Sequence, residues 1–229
     1  MELNFRRVIV GGIGLFIAAF CGGCAFLGLL ANPSGSERMV PAQLRLTARQ
    51  DGGIAVWVTQ SAASNAPPEL RRQLTGTIYG HLFKRAKVNK RYLVAADDSS
   101  PERAKIEEQL MREPIAPDAI GRMLNTGTLI YVRIERCELD RMDEREYYSG
   151  ALLAHAVVID TAAGRILWPE SGAANASDVR VELETSGRDA TLNRLTEATA
   201  HCIVRNFYDC PRRSFRVSEE QVSFDEEDL

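Results

Sequence analysis

The residues able to do chemistry in this 229-residue chain are few and scattered. Cys21-Gly22-Gly23-Cys24 has the Cys-x-x-Cys spacing of a redox or zinc pair, but a working pair opens a helix beside a sheet. Here both thiols stand inside an unbroken apolar run, so neither chemistry fits. His81, His155 and His201 fall on predicted elements, none beside a second metal ligand, the pattern of structural histidines. Asp140, Asp143, Glu144 and Glu146 alternate with Arg141 and Arg145, which describes a solvated connection between strands. Paired glycosidase carboxylates would need a cleft between them. Asp97-Asp98 lacks the companion carboxylates of a calcium loop, and Gly11-Gly12-Ile13-Gly14 lies where a phosphate loop has no use. Neither a Gly-x-Ser-x-Gly elbow nor a His-Glu-x-x-His pair is present. The residues therefore nominate no catalytic group, no cofactor and no metal.

What the first residues do settle is an address. Arg6 and Arg7 precede a run from Val8 to Ala31 without a charged side chain. That run is about 24 residues, enough to cross a hydrocarbon layer of roughly 30 Å at 1.5 Å per residue. Positive charge before the run keeps the amino terminus in the cytoplasm and sends the remainder across. Gly22-Gly23-Cys24 resembles the small-small-Cys end of a bacterial lipobox, which makes Cys24 the acylated first residue of a mature lipoprotein. Two departures keep alternatives open: Cys21 stands where that pattern usually has Leu, and the apolar run continues past Cys24 through Leu30. An uncleaved anchor over residues 8–31 also fits, as does plain secretion. The first two both tether a domain to a membrane on its far side.

The bulk composition narrows the partner. The chain carries 28 Lys and Arg against 31 Asp and Glu, for a net charge of −3. Six of the acids crowd into residues 218–229 (Glu219, Glu220, Asp225, Glu226, Glu227, Asp228) with no cation among them, so the body is near neutral. A nucleic-acid binder shows a net basic domain or stripe, which is missing here. Cys137, Cys202 and Cys210 are an odd set. Cys202 and Cys210 can pair only if the helix carrying Cys202 ends before Cys210, because eight helical positions span about 12 Å.

The elements follow from punctuation and period. Residues 32–50 read as a linker that opens with Asn32-Pro33-Ser34-Gly35, with Leu44 and Leu46 at the spacing of a short edge strand. Ile54 to Val58 is a strand buried on both faces. Pro67-Pro68 then starts a helix capped by Ser64 or Asn65, with Leu70, Leu74, Ile78 and Leu82 recurring every four residues. Gly76 and Gly80 suit close packing of that helix on the sheet. Tyr92 to Ala95 is a second strand, and Ser100-Pro101 starts a second helix over Ile106 and Leu110. A third helix covers residues 118–125, with Gly127 as its left-handed cap. Long strands follow over residues 128–139 and 148–160. Thr161-Ala162-Ala163-Gly164 turns into Arg165-Ile166-Leu167-Trp168, a hairpin with Gly164 at positive φ. Val179, Val181 and Leu183 alternate as a half-exposed strand, and Asp189 opens a last helix ending by Pro211. Helix-linked early strands pair in parallel and later hairpins antiparallel. The expected fold is a single α/β domain over residues 51–217: a mixed sheet flanked by helices, preceded by a hydrophobic export or anchor helix and followed by an acidic tail over residues 218–229.

Two stretches extend this into a resemblance. Ala119-Ile120-Gly121-Arg122-Met123-Leu124-Asn125-Thr126-Gly127-Thr128-Leu129-Ile130-Tyr131-Val132 resembles the helix, then Gly-x-Asp-x-x-hydrophobic strand, of certain periplasmic lipoproteins, with Thr128 where those carry Asp. Val157-Val158-Ile159-Asp160-Thr161-Ala162-Ala163-Gly164-Arg165-Ile166-Leu167-Trp168 is similar to their hairpin ending in Trp. The group comprises curli-assembly lipoproteins, penicillin-binding-protein activators and the amino-terminal domain of TolB. The resemblance implies an α/β envelope-assembly domain without enzymatic activity, covering roughly residues 54–207.

Two clusters stand out as a candidate partner surface. Lys84, Arg85 and Lys87 end the first long helix. Helix-dipole complementarity accounts for them as a solvated end, and contact with anionic lipid or an acidic partner is the other reading. Tyr147 and Tyr148 beside Arg145 have the composition of interface anchors. The sequence thus predicts a membrane-tethered envelope lipoprotein, lipidated at Cys24, that binds another envelope protein or a second copy of itself and no nucleic acid. An envelope hydrolase or peptidoglycan-processing enzyme, its residues joined only in space, is the other reading.

Overall fold

β-branched and aromatic runs alternating with proline-started helices place the strands of this chain inside and its helices outside. The computed structural model describes residues 39–47, 52–94, 100–142, 147–170 and 177–211. One compact unit spans Val40–Cys210; of the second unit, Met1–Met39 with Pro211–Leu229, only Met39 and Pro211 are described. The predicted export or anchor segment, Cys24 and the acidic tail lie outside the described residues. Among those described, no helix is long and apolar enough to cross a membrane.

The chain runs β1 (Met39–Val40), β2 (Ile54–Gln60), α1 (Pro68–Lys84), β3 (Leu93–Val94), α2 (Pro101–Arg112), α3 (Pro117–Met123), β4 (Thr128–Arg141), β5 (Tyr147–Asp160), β6 (Arg165–Trp168), β7 (Ser177–Ser186), α4 (Arg188–Val204) and β8 (Cys210–Pro211). The main sheet has the order β3-β2-β4-β5-β6, with β7 also on β5. β2 pairs in parallel with β3 and β4, and β4 pairs antiparallel with β5, so the sheet is mixed as expected. β6 covers Val158 to Asp160 and β7 covers Tyr147 to Ala156, so these two strands share the free edge of β5 end to end.

Side-chain alternation divides the core in two. Ile54, Val56 and Val58 of β2, with Ile130, Val132 and Ile134 of β4, meet Leu70, Leu74, Ile78 and Leu82 of α1 and Leu192, Leu195 and Ile203 of α4. Ala55, Trp57 and Leu129 point the other way, onto Ile106 of α2 and Ile120 of α3. The result is three layers. Gly150 lets α4 approach β5, since a Cβ there would stand 2.7 Å from Thr191 Cγ2 and 2.8 Å from Leu195 Cδ1.

Several local expectations change. Ser100 caps α2 as predicted, its hydroxyl accepting from Arg103 N–H at 3.1 Å. Pro67 occupies the cap of α1 instead of Ser64 or Asn65; Ser64 Oγ accepts from Ala66 N–H, and Asn65 takes φ 52° in the turn before it. Gly76 and Gly80 have open space at their Cβ positions, so close packing does not explain them. α3 ends through Asn125 at φ 53°, not through Gly127, whose backbone presses against Gly52. Gly164 holds the expected positive φ, 65°. α4 begins at Arg188, behind Gly187 at φ 84°.

Residues 42–46, within the stretch read from sequence as linker, lie against the body. Gln43 and Leu44 N–H donate to Asn206 O at 2.8 and 3.2 Å, and Leu46 is buried. The strand there is Met39–Val40; Leu44 and Leu46 come after it and dock by side chain. Arg45 closes the contact with a bidentate ion pair to Asp209, both oxygens at 2.8 Å.

Candidate functional site

Lys84, Arg85 and Lys87 sit at the carboxyl end of α1, all exposed. Their arrangement follows from how that helix stops. Lys87 takes φ 57° and Val88 N–H reaches back six positions to Leu82 O at 3.0 Å, closing the helix end around a left-handed residue. Ala86 and Val88 are thereby buried, and Lys87 between them is held at the surface. The chain then makes a 3-10 turn, Lys90–Tyr92, before β3. Lys90 Nζ lies 4.5 Å from the ring centroid of Phe83, itself 41% exposed, and Arg91 lies 4.4 Å over Tyr92. Lys90, Arg91 and Phe83 thus join the three predicted cations. Sequence gave no sign of Phe83, because a phenylalanine inside an amphipathic helix reads as core.

Tyr147 and Tyr148 lie elsewhere. They begin β5 at the tip of the β4–β5 hairpin, where Tyr147 is 39% exposed beside the exposed Met142, whose N–H donates to Tyr147 O at 2.8 Å. Arg145 lies outside the described residues. In register, Leu93, Ile54 and Thr128 mark one end of the sheet, and Arg141 paired with Tyr148 marks the other. At about 3.3 Å per residue the length of β4 separates these ends by roughly 40 Å. The predicted surface is therefore two surfaces.

At the hairpin end a cleft of about 430 Å³ is lined by Asn65, Pro67, Cys137, Glu138, Leu139, Asp140 and Arg188. The first turns of α1 and α4 both open onto it. Cys137 is buried, and that burial pushes its thiol up, so at neutral pH it is protonated and a poor nucleophile. Burial likewise raises the Cys202 thiol, and Cys137, Cys202 and Cys210 all stand as thiols. The helix carrying Cys202 does end before Cys210, whose Sγ instead lies 3.8 Å from Tyr208 OH.

The histidines are less isolated than sequence suggests. The packing of α1 on α4 places His81 Nε2 2.7 Å from Glu197 Oε1, with the His201 ring edge-on at 6.1 Å between centroids. His155 stands 3.8 Å from Glu135. Among the described residues no group of three or more His, Cys, Asp or Glu is set to hold a metal. Trp168 packs in the core, its ring edge-on to Phe207 at 5.3 Å and its Nε1–H donating to Gln43 at 2.7 Å.

No family model and no curated protein matches this chain. Solved structures do. The matches include bacterial lipoproteins. The lipoprotein GNA1162 of Neisseria meningitidis is similar at 10% identity and TM-score 0.41, over 67% of this chain and 98% of that one. The PelC dodecamer of Paraburkholderia phytofirmans aligns at 11% identity and TM-score 0.43, over 76% and 99%. The carboxyl-terminal domain of LpoB from Salmonella enterica aligns at 14% identity and TM-score 0.30, over 57% and 82%.

At the basic end, further contacts fix the local charge. Asp209, bound by Ala42 N–H at 3.0 Å and by Arg45, is held below the usual carboxylate range, the amide contributing most. Tyr208 is pushed up to about 12, chiefly by burial and then by Cys210, with Arg85 and Arg205 opposing. Arg85 is thus an electrostatic neighbour of Tyr208, and α1, α4 and the docked residues 42–46 converge at this end.

Proposed function

We propose that this chain is a lipoprotein of the bacterial cell envelope, acylated at Cys24, whose α/β body is a non-enzymatic assembly module for another envelope protein. The observation that carries the reading is the leader: two arginines, an apolar run and a small-small-Cys site directly ahead of a folded domain. The β4–β5 hairpin supports the assembly role. It presents Tyr147 and Met142, an aromatic and a flexible apolar side chain, both exposed at its tip.

Two measurements test this in cells. Labelled palmitate is expected to enter the unsubstituted chain and be lost in Cys24→Ala. A photocrosslinking residue at position 147 is expected to capture a distinct envelope protein, whereas one at exposed Glu102 of α2 captures none. Recovery of the chain alone, with turnover of a cell-wall polymer by the purified protein, would overturn the assembly role. One observation favours that enzymatic reading: Glu138 and Asp140 both line the cleft. Loss of the turnover in Glu138→Gln or Asp140→Asn would establish it.

A further inference from the structure

We infer that the end of the body formed by the carboxyl terminus of α1 and the turn that follows it is a docking face for an anionic lipid bilayer. The inference rests on the tethered reading above and names a second contact with the same membrane. From Phe83 to Val94 the sequence holds Lys84, Arg85, Lys87, Lys90 and Arg91 with no acidic residue. The structure turns all five cations outward, with Phe83 exposed among them and Ala86 and Val88 fixing the loop from below. An exposed aromatic ring ringed by cations matches a bilayer interface, where the ring enters the headgroup layer and the ammonium groups meet phosphate.

Among the described residues, two acids near this end are already engaged. Asp209 binds Arg45 and the Ala42 amide, and Glu197 binds His81. The body also begins at this end: residues 42–44 bond to Asn206 and Asp209, just beyond the carboxyl terminus of α4, and Arg85 neighbours Tyr208. The nine steps from Ala31 to Val40 span at most about 32 Å when extended, and the sixteen from Cys24 about 58 Å. Either anchor holds this face within a short reach of the surface, so weak contacts act at high effective concentration. An acidic polypeptide would be drawn by the same cations, but the tether already holds this face beside the lipid headgroups.

The test uses the full chain, extracted from membranes and reconstituted with vesicles of phosphatidylcholine alone or mixed with phosphatidylglycerol, either lipid brominated on its tails. Trp57 and Trp168 are buried and give a constant background, so Phe83→Trp serves as the probe and Met111→Trp, on α2, as its control. The Phe83→Trp signal is expected to be quenched on mixed vesicles, to recover in high salt, and to exceed the quenching of Met111→Trp. Adding Lys84→Gln, Lys87→Asn and Lys90→Gln, with an unchanged thermal melt, is expected to lower the docked fraction by about a hundredfold in partition at roughly fivefold per cation. Quenching that is the same on both vesicle types, or no greater than that of Met111→Trp, overturns the docking face. So does an acidic protein crosslinked at this face without quenching. Flotation separates the two readings. A chain that floats with neutral vesicles but leaves the probe unquenched keeps its tether and loses the face. A chain that floats only with anionic vesicles keeps the face and loses the tether.

Discussion

The face of the sheet under α1 and α4 and the face under α2 and α3 hold the same strands by different means. The first is aliphatic and deep: two 17-residue helices contribute a continuous set of buried Leu, Ile and Val. The second is thin, with six buried hydrophobic residues among those described, and it relies on a charge. Arg103 is 1% exposed, its guanidinium 4.5 Å above the ring of Trp57. Its Nε–H donates to Glu107 at 3.1 Å, and Glu107 also takes Arg71 of α1 at 3.1 Å. A short amphipathic helix cannot bury enough apolar surface to hold itself, so a stacked cation and a shared carboxylate finish the work. The deep face supplies stability, and the thin face supplies specific attachment.

Paired truncations test that division. Leu74→Ala, in the deep face, is expected to cost about 2–5 kcal/mol in urea denaturation, and Ile106→Ala, in the thin face, the lower part of that range. Equal losses would erase the distinction. Glu107→Gln leaves Arg103 with a neutral partner and is expected to cost about 1–2 kcal/mol, discounted because Glu107 is partly exposed. If Arg71→Gln costs as much, the carboxylate serves α1 rather than α2. Ser100→Ala removes the cap of α2 and should cost about 1 kcal/mol, with hydrogen exchange rising first in that helix.

The smallest effect concerns the docked lead-in rather than either face. Asp209 has its carboxyl held low in the folded protein, so its contribution is complete above the ordinary aspartate range. It fades as pH falls through that range and below. Amide exchange at Ala42 is expected to accelerate on acidification, and Asp209→Asn should remove the pH dependence. An unchanged profile in that variant would assign the effect to another carboxylate.

Much of the architecture was legible because it is local. The four-residue recurrence of Leu70, Leu74, Ile78 and Leu82, the Ser100-Pro101 start and Gly164 in its turn each depend on neighbours in sequence. Wrong local details came where two residues could serve one role. Asn125 took the left-handed position expected of Gly127, because Gly127 was needed where its backbone meets Gly52. Linker and body could not be told apart at residues 42–46, since Leu46 is buried by contacts with residues far along the chain.

By itself the sequence determined the period of most helices and strands, which is set by residues within a turn or two of one another, and the mixed pairing of the sheet, which follows from the lengths of the connections. Only the tertiary structure decided which chemistry shares a surface. It parted Tyr147 from Lys84 by the length of β4, joined His81 to Glu197, and set Phe83 among cations. The reason is that strand register and helix packing fix distances between residues whose separation along the chain carries no such information.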